Sequence, residues 1–174
     1  MSYLFEFKKL GVGVHNQKYI INDKFFEQFE NSDIQKANVV INLTADIKSS
    51  VISLLFEIKG TVEVQCDVCL ENFDFKISNK TDLFIRFSER AEFGEADFED
   101  DNKITLSKAT ENIDLTKHFY DFIVLSLPIK KVHPLDKKGN RTCNPDFLEK
   151  LEEYESQNTL KNDPRWDELK KLLN

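Results

Sequence analysis

Four side chains could act on one chemical task. Cys66 and Cys69 form a Cys-x-x-Cys pair within Val62-Glu-Val-Gln-Cys-Asp-Val-Cys-Leu-Glu-Asn-Phe73, and His133 and Cys143 share one later segment. Two thiolates at that spacing can occupy one face of a tetrahedral zinc, because a short turn brings both sulfurs to a single centre. With His133 and Cys143 added, the set would be three thiolates and one imidazole. Such a site is closed and structural, with no coordination position left for a substrate water. Two other uses of the pair stand beside this one: a redox dithiol, which needs a helix N-terminus to lower a thiol pKa, and buried thiols that only pack. Apolar alternation on both sides places the pair in a hairpin, which disfavours the redox use. Three cysteines, an odd number, also fit metal or free thiols better than a disulfide framework.

Catalytic chemistry has little support. His15 lies in an N-terminal connection, and His118 falls inside an apolar helical pattern, where a surface or satisfied histidine is the ordinary reading. There is no Gly-x-Gly-x-x-Gly, Walker loop, His-Glu-x-x-His or Gly-x-Ser-x-Gly, and Gly11-Val-Gly13 lacks the third glycine of a nucleotide loop. The chain reads as a binding module, not an enzyme, with no small-molecule substrate expected.

Charge narrows the choice of partner. Lys plus Arg number 24 and Asp plus Glu 31, a net charge of −7, so the surface as a whole is unsuited to gripping nucleic-acid phosphates. One segment, Ile129 to Arg141, is basic, with Lys130, Lys131, Lys137, Lys138 and Arg141 against Asp136. Glu89 to Asp101 is its opposite, carrying seven acidic residues against Arg90. That run reads as a solvated loop or as an acidic arm for a basic partner. Charge interrupts the N-terminus too early for a secretory signal, and the longest apolar run, Val51 to Ile58, contains Ser53 and Glu57. A cytoplasmic protein without a membrane span is expected.

The elements that must position these groups follow from apolar phase. Odd positions from Val39 to Ile47 are apolar, then even positions from Ile52 to Val64, so Cys66 falls on the same inward face. Beyond an Asp67-Val68 turn the odd positions take over, through Cys69, Phe73, Phe75, Ile77, Leu83, Ile85 and Phe87. Gly60 marks a bulge or bend. Tyr3 to Phe7 and Lys18 to Ile21 fit short strands, as does Ile104 to Leu106. Asp23 is placed to cap a short helix bearing Phe25, Phe26 and Phe29. Asp114 is likewise placed before a helix whose stripe is Leu115, Phe119, Phe122, Ile123 and Ser126, ended by Pro128; a strand is the alternative for Ile123 to Leu127. Asn144-Pro to Tyr154 and Asp163-Pro to Leu173 both open with a side-chain acceptor followed by proline, as helices do. Their apolar faces are Phe147, Leu148, Leu151 and Tyr154, then Trp166, Leu169, Leu172 and Leu173. The fold class expected is α+β: a mostly antiparallel sheet or partial barrel packed by one apolar helix, with two short C-terminal helices. Residues 1–154 would form one β-rich domain with the Cys-x-x-Cys hairpin, and 155–174 a linker and amphipathic helix.

Three stretches carry a family resemblance: Cys66-Asp-Val-Cys-Leu-Glu-Asn-Phe73, Ile113-Asp-Leu…Phe122-Ile-Val-Leu-Ser-Leu-Pro128, and Val132-His-Pro…Cys143-Asn-Pro…Asp163-Pro-Arg-Trp-Asp-Glu-Leu-Lys-Lys-Leu172. Together they resemble the YceD-like family, the large ribosomal RNA subunit accumulation proteins, in its Bacteroidetes-type form. The resemblance runs from about the first cysteine to the end. It implies a non-enzymatic factor in ribosome assembly. His133 and Cys143 stand where other forms have a second cysteine pair. On this reading zinc pins the basic loop, and Lys130, Lys131, Lys137, Lys138 and Arg141 meet ribosomal RNA phosphates. The alternative is a protein adaptor whose acidic arm takes a basic ribosomal protein.

Overall fold

The computed structural model describes residues 3–30, 32–89, 97–100 and 102–158. The chain forms two compact units, Met1–Gln65 with Asn72–Lys131, and Cys66–Glu71 with Val132–Asn174.

The first unit contains, in order, β1 (Leu4–Phe5), α1 (Phe7–Leu10), β2 (Gly13–Asn22), α2 (Asp23–Phe26), β3 (Ala37–Ile47), β4 (Val51–Gln65), β5 (Asn72–Ser88), β6 (Asp97–Asp100), β7 (Lys103–Ser107), β8 (Ile113–Asp114) and α3 (Thr116–Leu125). Six strands make one sheet in the order β2-β3-β4-β5-β7-β6, while β1 and β8 pair separately. The large sheet is mostly antiparallel, as its alternation suggested, and open, so it does not close into a barrel. One pair, β5 with β7, is parallel.

Register explains the core. Leu43 lies opposite Phe56 and Ile41 opposite Ile58, then Leu54 opposite Leu83 and Ile52 opposite Ile85. All eight of these side chains are buried, since a period of two puts each run's apolar residues on one face. Gly60 is no bulge: it sits in unbroken register between Val39 and Ile77. A Cβ there would lie 2.2 Å from the Asn38 carbonyl oxygen and 2.6 Å from Val39 Cα, so close strand approach is what requires glycine.

Helix α3 covers this core with Leu115, Phe119 and Ile123, each 0% exposed. The Phe119 ring meets those of Tyr19, Tyr3 and Phe56 at 4.9, 5.5 and 6.0 Å between centroids. Helix, not strand, therefore continues through Leu125. Two capping assignments shift. Leu115 occupies the N-cap position of α3, and the Asp114 carboxylate accepts the Thr116 backbone N–H from one residue further back. Asp23 opens α2 itself and accepts the Ala37 N–H at 2.7 Å, which ties the helical turn to the start of β3. The expected strand from Tyr3 to Phe7 shortens to Leu4–Phe5, because Phe7 already begins α1 and is buried there.

The acidic run is not wholly a loop. Asp97–Asp100 forms β6 through backbone pairing with β7, which places it at a sheet edge. Residues 90–96 and 101 lie outside the described residues, as does the expected helix from Asp163 to Leu173.

In the second unit, α4 (Pro145–Asn158) starts where the Asn-Pro signal placed it. The Asn144 side-chain oxygen accepts the Asp146 N–H at 3.0 Å. The helix runs past Tyr154 into the expected linker. Phe147, Leu148 and Leu151 are half-buried, whereas Tyr154 is 66% exposed and leaves the apolar face. Among the described residues no helix is long and apolar enough to cross a membrane.

Candidate metal centre

The alternation of β4 delivers Cys66 to a buried position at the mouth of the connection to β5. That connection is Cys66–Glu71, longer than an Asp67-Val68 turn, and Leu70 adopts the left-handed conformation at φ +61°. The chain wraps around a sulfur. Cys66 N–H donates to the Glu71 carbonyl at 2.9 Å, Leu70 N–H to the Cys66 carbonyl at 3.0 Å, and Val68 N–H approaches Cys66 Sγ at 3.5 Å. Backbone N–H groups aimed at sulfur favour a thiolate over a thiol.

The other two donors bracket a loop that closes on itself. Leu135 and Arg141 form an antiparallel bridge, and the Thr142 hydroxyl donates to the Pro134 carbonyl at 2.6 Å. Inside, the Asp136 carboxylate accepts the backbone N–H groups of Lys138 and Asn140, both at 2.8 Å, while Gly139 turns the chain at φ +85°. The Asn140 backbone N–H is the main reason the Asp136 carboxyl is held below its usual range. His133 and Cys143 are thereby returned to one place. Asn144 Nδ2 donates to the Glu71 carboxylate at 2.7 Å, tying the residue after Cys143 to the Cys66–Glu71 connection.

One donor from each of Cys66, Cys69, His133 and Cys143 lies within 4.8 Å of all the others. In a regular tetrahedron with metal–sulfur distances of about 2.3 Å and metal–nitrogen distances of about 2.05 Å, two sulfurs stand about 3.8 Å apart and a sulfur and nitrogen about 3.6 Å. Cys66 Sγ and Cys143 Sγ are 3.9 Å apart, and His133 Nδ1 is 3.5 Å from Cys69 Sγ and 3.7 Å from Cys143 Sγ. These three pairs have tetrahedral spacing, and the donor set is compatible with a four-coordinate zinc. All three cysteines are buried and free, with His133 half-buried beside them.

The metal-free electrostatics separate the thiols. Burial pushes the Cys66 thiol up, but the backbone N–H groups of Cys69, Val68 and His133, with the His133 ring, outweigh it and bring the group down to about 6. Cys143 is pushed up to about 11, by burial first and then by the neighbouring Cys66 and Cys69. One sulfur is thus prepared to give up its proton near neutral pH, while another holds its proton there unless a cation offsets the neighbouring sulfurs.

The basic residues divide between the units: Lys130 and Lys131 in the first, Lys137, Lys138 and Arg141 in the second. Lys131 forms an ion pair with Asp33 at 3.1 Å, whereas Lys137, Lys138 and Arg141 are exposed on the loop between the two later ligands. Sequence reasoning took Asn144 only as a helix cap and Asp136 only as a counter-charge, and it missed Glu71. For Asp136 the signal was there, because Asp-Lys-Lys-Gly-Asn has the composition of a turn closed by its own side chain.

No curated protein and no solved structure matches the chain. A family model does, over residues 54–173, under the description large ribosomal RNA subunit accumulation protein YceD. The matched region contains all four clustered donors and the basic loop between the later two. This chain belongs to the YceD family of large ribosomal RNA subunit accumulation proteins.

Proposed function

We propose that this chain is a non-enzymatic, cytoplasmic factor for the accumulation of large-subunit ribosomal RNA, and that Cys66, Cys69, His133 and Cys143 hold a structural zinc. The carrying observation is the position of the later two ligands, one at each end of the loop bearing Lys137, Lys138 and Arg141. Zinc would fix both ends of that loop and present its cations as a preordered contact for RNA phosphates, with Lys130 and Lys131 as further contacts. Four protein donors fill a tetrahedral shell, which suits a structural ion better than a catalytic one. The net charge of −7 confines any such grip to this locality.

Filter binding to large-subunit RNA fragments over a salt series tests the contact. Replacing Lys137, Lys138 and Arg141 together with Ala should weaken binding and flatten the dependence of log K on log salt by about 2 to 3. Binding that is absent in the wild type, or unchanged in the triple variant, would overturn the RNA contact and leave capture of a basic ribosomal protein as the function.

A further inference from the structure

The two edges of the large sheet are built differently. β6 is four residues long, acidic, and interrupted by a register shift between Phe98 and Asp100. Short, charged, irregular strands are how natural sheets keep an edge from pairing. β2, at the opposite edge, is neither short nor irregular, and its single charged protection is Lys18. It spans ten residues and pairs with β3 without a break from Gly13 opposite Ile47 to Asn22 opposite Asn38. It contains no proline and no acidic residue, and Lys18 is its one lysine. Its outward-facing Val14 and Ile20 are 64% and 63% exposed, and Val12, just before it, is 75% exposed. Among the described residues no strand pairs with its outer side.

We propose that β2 is a homodimer interface, where two copies of this chain join edge to edge so that their sheets become continuous. The strand fits its own copy. An antiparallel two-fold centred on Gln17 places Val14 opposite Ile20 of the other copy, Asn16 opposite Lys18, and His15 opposite Tyr19. Apolar meets apolar on the outward face, where such cross-strand pairs stabilise a sheet. Lys18 faces a neutral amide, and the second Lys18 lies on the diagonal, about 8 Å away. Because each pair joins two even or two odd positions, the outward faces of both copies stay on one side of the joined sheet. The same symmetry closes the assembly at two chains, since each copy has one such edge to offer.

Sedimentation equilibrium of the intact chain from low to high micromolar concentration should show a rise from one chain mass to two. Val14→Lys and, independently, Ile20→Lys each put a second cation on the exposed face and should restore the single-chain mass with an unchanged far-UV circular dichroism spectrum. Register is tested by Asn16→Cys with Lys18→Cys: under mild oxidation the double variant should run at twice the mass on a non-reducing gel, while each single variant and the wild type should not. A single-chain mass at every concentration, or a dimer that survives both lysine variants, would overturn the proposal.

Discussion

Chelating the proposed zinc should cost the protein an amount that chain length bounds. Cys69 and His133, whose donors lie 3.5 Å apart, are separated by 64 positions. An ion kept by both ligands on unfolding closes that loop in the unfolded chain, as a disulfide would, and an ion released on unfolding stabilises the fold by its full binding free energy, which is larger. Tying a loop of this size removes about 4 kcal/mol of unfolded-state entropy. A strong chelator should therefore lower the unfolding free energy by at least about 4 kcal/mol, which at a urea dependence of about 2 kcal/mol per molar moves the midpoint down by at least about 2 M. The assay pairs elemental zinc content with urea unfolding followed by far-UV circular dichroism, with and without chelator, in reducing buffer. Zinc near one per chain is expected in the wild type. Cys69→Ser should unfold like the chelated wild type and respond no further to chelator. Zinc release with no movement of the midpoint would refute the cross-link reasoning; protein purified under reducing conditions without zinc would refute the site itself.

The strand packing and the thiol environments carry two further expectations. Gly60→Ala should destabilise the fold by about 1–3 kcal/mol in urea unfolding, because the atoms in its way are backbone and cannot rotate aside. In metal-free protein, Cys66 titrates near 6 in the fold against an ordinary value of 9.0, so the stability its thiolate contributes is complete above pH 9 and lost as pH falls through 6. Cys143, raised to about 11, acts in the opposite sense between pH 9 and 11, where only the unfolded chain gives up that proton. Urea midpoints should therefore rise from pH 6 toward 9 and turn down beyond it, and Cys66→Ser should remove the rise.

Much of this arrangement was legible where one face of an element is uniformly apolar. β3, β4 and β5 announce themselves by phase, and the change of phase on either side of Cys66 locates the hairpin. The stripe on α3 is equally plain. β2 was legible only at its end, because Gly13, His15 and Gln17 occupy alternate positions where apolar residues would signal a strand. Its length comes from backbone pairing with β3, which a hydrophobic pattern does not record. The parallel placement of β7 beside β5 is a long-range choice that five residues cannot encode. In the metal centre, residue types gave all four candidate ligands. The wrap of backbone around Cys66, with Leu70 left-handed, was not foreseeable, since a leucine carries no preference for that conformation.

The pairing of β1 with β8 has a consequence in time. Leu4 is opposite Asp114 and Phe5 opposite Ile113, and the Leu115 N–H reaches the Tyr3 carbonyl at 2.9 Å. β2, β3 and β4 each pair with the strand next in sequence, so that the meander from β2 to β5 can assemble as the chain is made. β1 is synthesised before all of them and cannot pair until Asp114 has followed; at about 5–20 residues per second that is a wait of about 5–20 s. Through that interval Phe5, fully enclosed in the finished fold, is exposed on a nascent chain still tethered to a ribosome. Pairing of the first strand therefore waits on the segment that carries β8 and leads directly into the covering helix.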